Sequence, residues 1–222
     1  MQLTVVEEQK RELSGRSSCW DNEFWTIFKR VFDVIISVIL LVLLSPLLLL
    51  VGLLVKLTSP GPVLYRWRVV GKNGRPFCSF KFRSMVVEAD ELKASLLAKN
   101  EMTGPVFKIS RDPRITPVGA WMRRYSLDEL PQLYSVLVGD MSLVGPRPPL
   151  QSEYKHFTEY QKQKLAVKPG ITCLWQISGR NNIRDFDEWV SLDLQYIRNW
   201  SLWIDLRILA RTVIAVVSGS GK

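Results

Sequence analysis

The sequence is poor in cysteine and histidine, and this scarcity argues against several kinds of site. Three cysteines (Cys19, Cys78 and Cys173) and one histidine (His156) are scattered over 222 residues. They form neither a metal-binding spacing nor a disulfide framework, so a reducing compartment is expected. A zinc site built from histidine and cysteine is disfavoured, and so is a Ser-His-Asp catalytic triad.

Charge is absent from residues 34–55, a run of 22 residues between Asp33 and Lys56. A straight helix of this length reaches about 33 Å, which is enough to cross a bilayer. Pro46 stands in the middle of the run, where proline removes a helical hydrogen bond and biases Ser45 away from helical geometry. Basic residues flank both ends, so the positive-inside rule gives no orientation. We therefore predict a re-entrant helix broken at Ser45-Pro46, with a one-pass anchor as the alternative.

The remainder of the chain has an excess of positive charge. The whole sequence carries 30 Lys and Arg against 21 Asp and Glu, which gives a net charge of +9. From Lys56 onward the numbers are 25 and 15, so the surplus belongs to the C-terminal three quarters. Such a balance favours an anionic partner, which can be nucleic acid, a phospholipid surface or a phosphorylated substrate.

Local patterns predict an α+β fold that is mostly helical. Strand-like segments on either side of the turn at residues 71–74 predict a small β-hairpin. Apolar periodicity and proline or glycine punctuation delimit the other segments. The predicted strands cover residues 63–68 and 77–82. The predicted helices cover residues 85–100, 121–125, 127–137, 153–167 and 188–217, the last with a break near Trp200. The predicted loops cover residues 103–117, 139–149 and 169–182, and the last of these contains a short strand.

Tryptophan and arginine occur together near the C-terminus. Trp189, Trp200 and Trp203 share the last predicted helical stretch with three arginines. Rings and cations on an amphipathic helix suit the headgroup layer of a membrane. The alternative is that these tryptophans fill a soluble core. Because the chain also carries an apolar segment, we favour the membrane interface, and we assign the aromatic residues between 20 and 28 to the same layer.

Asp128 and Glu129 form an adjacent carboxylate pair that directly follows a basic stretch. Pro131 fits only near the first turn of a helix, so this helix starts close to residues 126–128. The positive helix end and the nearby arginines favour ionised carboxylates, as a nucleophile or a Mg²⁺ ligand requires. The alternative is a capping box, in which Ser126 and Glu129 only satisfy backbone groups.

Two proline- and glycine-rich loops carry arginines suited to phosphate. Arg147 stands between Pro146 and Pro148, which stiffen the backbone beneath it. Its planar guanidinium can then meet a phosphate through two hydrogen bonds at little ordering cost. Arg180 follows Ser178 on another turn. Together with the acidic pair, these loops predict a phosphate-handling site beside a membrane segment.

The sequence motifs and their order along the chain resemble those of the monotopic phosphoglycosyl transferases, the bacterial sugar transferase family. The resemblance covers residues 28–217 and leaves out residues 1–27. The motifs that carry it are Lys29-Arg30-x-Phe32-Asp33, Ser45-Pro46, Ser59-Pro60-Gly61-Pro62, Lys81-Phe82-Arg83-Ser84-Met85, Ser126-Leu127-Asp128-Glu129-Leu130-Pro131-Gln132-Leu133, Gly139-Asp140-Met141-Ser142-Leu143-Val144-Gly145-Pro146-Arg147-Pro148 and Pro169-Gly170-Ile171-Thr172.

The resemblance implies transfer of a sugar 1-phosphate from a UDP-sugar to a polyprenol phosphate such as undecaprenyl phosphate, with release of UMP. Asp128 would be the nucleophile of a ping-pong cycle, forming a covalent phosphosugar that the lipid phosphate displaces. Mg²⁺ would neutralise the pyrophosphate near Asp128 and Glu129. The substrate-binding residues implied by the same motifs are Lys81, Arg83, Arg124, Arg147 and, at the nucleotide end, Arg180.

The resemblance also implies an organisation in three parts. These are an N-terminal extension over residues 1–28, a re-entrant helix-break-helix over residues 29–58 and a cytoplasmic catalytic domain with interfacial helices over residues 59–222. The protein would work at the cytoplasmic face of the bacterial inner membrane, in the first membrane step of exopolysaccharide or glycoconjugate assembly. It would bind no nucleic acid, and a homo-oligomer is left open. The motifs leave the choice between glucose and galactose open.

Two other functions would use part of the same features. A membrane-anchored polybasic scaffold that binds anionic lipid or nucleic acid needs only the basic surplus and the apolar run. A metal-dependent phosphatase or nucleotidase would use the acidic pair, but it would release phosphate or sugar phosphate without a lipid acceptor.

Overall fold

The computed structural model describes residues 20, 22–179 and 183–219. The α-helices in these residues are α1 Glu23–Leu43, α2 Ser45–Thr58, α3 Ala89–Leu92, α4 Pro117–Arg124, α5 Leu133–Val138, α6 Gln151–Tyr154, α7 Glu159–Lys162, α8 Leu174–Ile177, α9 Phe186–Arg198 and α10 Leu202–Val217. The β-strands are β1 Leu64–Val70, β2 Pro76–Phe82, β3 Ser142–Val144 and β4 Gly170–Thr172. Short 3₁₀ segments cover Lys72–Gly74, Ala94–Lys99, Leu127–Gln132 and Gln163–Ala166.

The apolar run folds into two helices with a sharp bend between them. α1 and α2 meet at Leu44 with an angle of 63°. Pro46 has no N–H to donate to the carbonyl of Val42, and the hydroxyl of Ser45 donates to that carbonyl instead, at 2.8 Å. Among the described residues, no unbroken helix is long and apolar enough to span a bilayer. The bent pair, taken together, reaches the required length and apolar composition. The predicted helix break is confirmed, and its insertion into a membrane stays a prediction.

The inner face of α1 is tied to the protein through buried polar groups. Nζ of Lys29 lies 2.5 Å from Oδ2 of Asp205 in α10 and 4.0 Å from Oδ1 of Asp33. The hydroxyl of Tyr196 and the indole N–H of Trp200 donate to Asp205 at 2.8 and 3.2 Å. Asp33 accepts a backbone N–H from β3 at 3.2 Å. The broken pair is therefore fixed to the same framework that holds β3.

The outer faces of α1 and α2 are apolar and exposed. Phe24, Leu43, Leu49 and Leu57 each expose 65–76% of their surface, and many of their apolar neighbours are also exposed. A contiguous apolar patch of this kind marks an interaction with a membrane or with another protein.

β1 and β2 form the predicted antiparallel hairpin, with Leu64 opposite Phe82 and Val70 opposite Pro76. Asn73 makes the turn with a positive φ of 57°. β3 and β4 pair in parallel, which the sequence prediction of a rigid loop over residues 139–149 missed. A buried strand of three residues shows no alternating pattern, so its partner cannot be read from the sequence.

Several predicted helices differ from the observed ones. The predicted helix over residues 85–100 is only α3 and a 3₁₀ segment. The predicted helix over residues 153–167 is interrupted, because Thr158 caps a new helix by accepting the N–H of Gln161. α4 begins earlier than predicted, with Pro117 in its first turn. The break near Trp200 is confirmed.

The tryptophans near the C-terminus do not share one environment. Trp189 and Trp200 are 8% and 4% exposed, so the interfacial prediction is wrong for both. Trp189 stacks on Trp175 with ring centres 3.9 Å apart, and Trp200 packs against Trp20 at 4.4 Å. Trp203 is exposed.

Candidate active site

The acidic pair lies at the start of the 3₁₀ segment Leu127–Gln132. Ser126 precedes it in the left-handed backbone region, with a φ of 53°, and its hydroxyl makes no capping hydrogen bond. The predicted start of the helix is confirmed. The capping-box alternative is wrong, because the Glu129 side chain turns away from the backbone towards cations on other elements.

Glu129 is held by donors from three parts of the chain. Nζ of Lys81, on β2, lies 2.7 Å from Oε1, and Nη1 of Arg147 lies 2.9 Å from the same oxygen. Nε2 of Gln176, on α8, lies 3.4 Å from Oε2. Burial alone would raise the pKa of Glu129, but Lys81 and Arg147 outweigh it and hold that pKa far below its usual range. Glu129 is therefore an ionised carboxylate whose oxygens are already engaged.

Asp128 differs from its neighbour in its hydrogen bonding. It is 8% exposed, and none of the described residues donates a hydrogen bond to its carboxylate. Burial raises the pKa of Asp128 and the charge of Glu129 raises it further, against the attraction of Lys81, Arg123 and Arg147. The sequence argument expected both carboxylates to be favoured in the ionised form. It holds for Glu129, whereas burial and the adjacent negative charge move the pKa of Asp128 in the opposite direction, above its usual value.

The two cations that hold Glu129 share one aromatic support. Nζ of Lys81 lies 3.7 Å from the ring centre of Trp67 on β1, and the guanidinium of Arg147 lies 5.4 Å from it. A cation over an indole face is stabilised by the ring quadrupole, most of all where water is excluded. Burial lowers the pKa of Lys81 to about 8, against the opposing effect of Glu129. The hairpin therefore supplies Lys81, whose ammonium group is held between the Trp67 ring and the Glu129 carboxylate.

Arg147 is positioned by a close backbone contact between β3 and β4. A Cβ on Gly170 would lie 2.1 Å from the backbone nitrogen of Gly145, and a Cβ on Gly145 would lie 2.5 Å from the carbonyl oxygen of Lys168. The N–H of Gly170 donates to the carbonyl of Pro146 at 3.0 Å. Only glycine permits this approach at positions 145 and 170, and the approach brings the start of the Arg147 loop against β4.

Arg123, and not Arg124, belongs to the group around the acidic pair. Nε of Arg123 donates to Oγ of Ser84 at 2.9 Å, and burial lowers the Arg123 pKa while the charge of Asp128 opposes this. Arg124 is exposed and lies 5.7 Å from the ring centre of Tyr125. The structure thus does not bring Arg124 to the carboxylates. Sequence reasoning named it because two adjacent arginines cannot be told apart without the orientation of the helix.

The structure places the remaining predicted residues differently. Nη2 of Arg83 donates to both oxygens of Ser59 at 2.8 Å, and Nη1 donates to the carbonyl of Pro60, so Arg83 ties β2 to the segment after α2. Arg180 lies outside the described residues. Gln176 and Trp67 were missed, and no sequence signal distinguishes them before the fold brings them to Glu129 and its cations.

The donor atoms of the acidic pair fit a magnesium ion. In the described part of the chain, no group of three or more His, Cys, Asp and Glu side chains lies together. Mg²⁺ is usually bound through one or two carboxylates, with waters and substrate phosphates completing its shell. Asp128 has carboxylate oxygens that no described protein donor occupies, whereas both oxygens of Glu129 are engaged. The fit therefore rests mainly on Asp128.

Residues 24–219 match the family model described as bacterial sugar transferase. The chain is 55% identical over 161 residues to the galactosyl transferase CpsE of Streptococcus agalactiae, an alignment that covers 72% of this chain and 36% of that protein. It is 44% identical over 198 residues to the undecaprenyl-phosphate galactose phosphotransferase of Salmonella typhimurium, covering 87% of this chain and 41% of that protein. It is 43% identical over 198 residues to the exopolysaccharide production protein ExoY of Rhizobium meliloti, covering 87% of each.

The chain spans less than half the length of the first two of these relatives, and most of the third. The family model matches the described chain almost from end to end, and it includes both the broken helix pair and the acidic pair. The chain belongs to the bacterial sugar transferase family.

Proposed function

We propose that this protein transfers a sugar 1-phosphate from a UDP-sugar to a polyprenol phosphate and releases UMP. Membership of the family supports this reaction, as do the names of its relatives. The observation that carries it is the state of Asp128, a buried carboxylate to which none of the described residues donates a hydrogen bond and on which the charges of Lys81, Arg123 and Arg147 act. Such a group suits attack on a phosphorus atom whose oxygens need positive partners.

The proposed cycle has two displacements at one phosphorus atom. A carboxylate oxygen of Asp128 attacks the phosphorus next to the sugar, the bond to the UMP oxygen breaks, and UMP leaves with the bonding electrons. The sugar phosphate is then an acyl phosphate on Asp128. An oxygen of the polyprenol phosphate attacks the same phosphorus, frees the carboxylate and yields a lipid-linked pyrophosphoryl sugar.

The other site residues would act on charge and position. Lys81, Arg123 and Arg147 offset the negative charge of the pyrophosphate during both displacements. Glu129 keeps Lys81 and Arg147 in place through the hydrogen bonds described above. Mg²⁺, which Asp128 and secondarily Glu129 would hold, supplies further neutralisation of the pyrophosphate when bound.

The location we propose is the cytoplasmic face of the bacterial inner membrane, with α1 and α2 entering and leaving on one side. The 63° bend, the exposed apolar outer faces and the basic residues at both ends of the run support this placement. An acceptor that is itself a membrane lipid requires an active site at this boundary.

UMP release tests the proposed reaction. Purified protein in detergent is incubated with UDP-glucose, UDP-galactose and other UDP-sugars, each with and without polyprenol phosphate. We expect UMP from at least one donor, with a lipid-linked product only when the acceptor is present. Asp128→Asn abolishes both, whereas Asp90→Asn, which changes an exposed aspartate, retains them. Free sugar phosphate without acceptor would instead indicate a phosphatase or nucleotidase, and no UMP from any donor would contradict the proposal.

A further inference from the structure

We propose that an apolar groove between α2 and α4 binds the isoprenoid chain of the acceptor lipid next to its phosphate. This inference rests on the proposed function and assigns the acceptor a place that neither the family motifs nor the acidic pair specifies. The groove has a volume of about 340 Å³ and is lined by Leu54 of α2 and by Pro117, Val118 and Trp121 of α4.

The chemistry of the lining suits a hydrocarbon chain. All four side chains are apolar or aromatic, and none carries a charge. Trp121 is 42% exposed, so a large part of its ring lacks an apolar partner. The groove is open rather than enclosed and has only four lining residues. It therefore holds the units nearest the phosphate and leaves the rest of a long prenyl chain in the bilayer.

The groove lies beside the exposed apolar face of the broken helix pair. Leu54 lies between Leu53 and Leu57 of α2, which are 54% and 73% exposed. These residues belong to the apolar surface that would face membrane lipid. A prenyl chain can therefore pass from the bilayer into the groove without crossing a polar surface.

The two helices that line the groove, α2 and α4, both contact the 3₁₀ segment that carries the acidic pair. Val118, Trp121 and Tyr125 follow one another at intervals of three and four residues, which places them on one face of α4 and its C-terminal cap. The rings of Trp121 and Tyr125 have centres 6.2 Å apart. Val118 and Leu127 pack on the same buried cluster, and Leu127 directly precedes Asp128.

Positive charge at the C-terminus of α4 matches the headgroup of the acceptor. α4 ends with Arg123 and Arg124, and the charge of Arg123 interacts with that of Asp128. A phosphate monoester carries a charge of about −1.5 to −2 near neutral pH, which exceeds the single charge of a phosphodiester lipid. A chain seated in the groove with its phosphate at Arg123 would be aimed at a phosphosugar on Asp128. This orientation favours the acceptor over bulk phospholipid.

Trp121→Ala and Leu54→Ala test the groove through the kinetics of the acceptor. We expect the KM for polyprenol phosphate to rise about tenfold in Trp121→Ala, because an apolar contact of this size is lost. The KM for the UDP-sugar should stay the same. Trp203→Ala is the matched control, since Trp203 is exposed on α10 and lies outside the groove lining. An unchanged acceptor KM in Trp121→Ala, with UMP still released, would overturn the groove and leave the proposed function intact.

Photolabelling measures binding without turnover, so it tests the groove separately from the proposed transferase reaction. A geranyl phosphate analogue with a diazirine in its first isoprene unit is photolysed with the whole 222-residue chain carrying Asp128→Asn, and the labelled peptides are identified by mass spectrometry. Labels on α2 and α4 that polyprenol phosphate displaces and phosphatidylglycerol does not would support the inference. Labels confined to other elements, or equal displacement by both lipids, would overturn it. Failure of the wild type to release UMP would instead remove the proposed function.

Discussion

At the scale of single residues, the two neighbouring carboxylates of the acidic pair differ in their hydrogen-bond partners and in the direction of their pKa shifts. Glu129 receives hydrogen bonds from Lys81, Arg147 and Gln176, whereas Asp128 receives none from the described residues. Glu129 therefore holds Lys81 and Arg147, whereas the oxygens of Asp128 accept no hydrogen bond from the described residues. The residue types were predictable from the sequence, but this division was not, because it depends on groups that the fold brings from distant segments.

The two arginines before the pair give a test of this arrangement. Arg123→Ala should lower kcat/KM for UMP release by about 100-fold or more, because it removes a half-buried cation whose charge acts on Asp128. Arg124→Ala should have a clearly smaller effect, since Arg124 is exposed. Steady-state kinetics of both variants checks the ranking. A larger loss for Arg124→Ala would contradict the placement of these side chains.

At the scale of secondary structure, elements marked by local chemistry were predictable and elements made by distant pairing were not. Pro46 predicted the helix break, and the turn at residues 71–74 predicted the hairpin. The pairing of β3 with β4 was missed, because each strand has three residues and its partner lies far along the chain. The glycines that permit this pairing appeared in the sequence only as parts of stiff loops.

Gly170→Ala tests the close contact of β3 and β4. Its Cβ would lie 2.1 Å from a backbone nitrogen, so the strands must move apart, which we expect to destabilise the protein by about 1–3 kcal/mol or more. Gly52→Ala is the control, because its Cβ would meet side-chain atoms at 3.5 and 3.6 Å, an ordinary contact, within a helix. Thermal unfolding in detergent compares the two. Equal melting temperatures would contradict the tight contact.

The bend between α1 and α2 predicts that both ends of the pair lie on one side of the membrane. Single cysteines are introduced by Phe28→Cys and Thr58→Cys in a protein whose three native cysteines are replaced. A membrane-impermeant maleimide should label both positions from the cytoplasmic side. Labelling from opposite sides would restore the one-pass anchor.

At the scale of the whole molecule, the site is assembled from segments far apart in sequence. Lys81 comes from β2, Glu129 from a 3₁₀ segment, Arg147 from the loop after β3 and Gln176 from α8. Motif order predicted three of these four residues, since each motif carries its own chemistry. A buried framework ties α1 to α9, α10 and β3, the strand that directly precedes the loop with Arg147.

Lys29→Met tests that framework. Lys29 is paired with Asp205 where both side chains are almost fully buried, so its loss leaves a buried charge without its cation. We expect a loss of about 3–5 kcal/mol in the free energy of unfolding. Lys162→Met, which removes an exposed pair with Glu159, should cause no measurable change. Chemical denaturation of both variants checks this, and equal effects would contradict a structural role for the buried pair.

The central claim is that Asp128 carries the sugar phosphate during turnover, and intact-protein mass spectrometry tests it most directly. Protein is mixed with the productive UDP-sugar without acceptor, quenched in acid and weighed. The wild type should gain the mass of one hexose phosphate, located at Asp128 by peptide mapping and lost when polyprenol phosphate is added. The Asp128→Asn variant should gain nothing. UMP release by the wild type with no added mass at Asp128 would contradict the covalent mechanism.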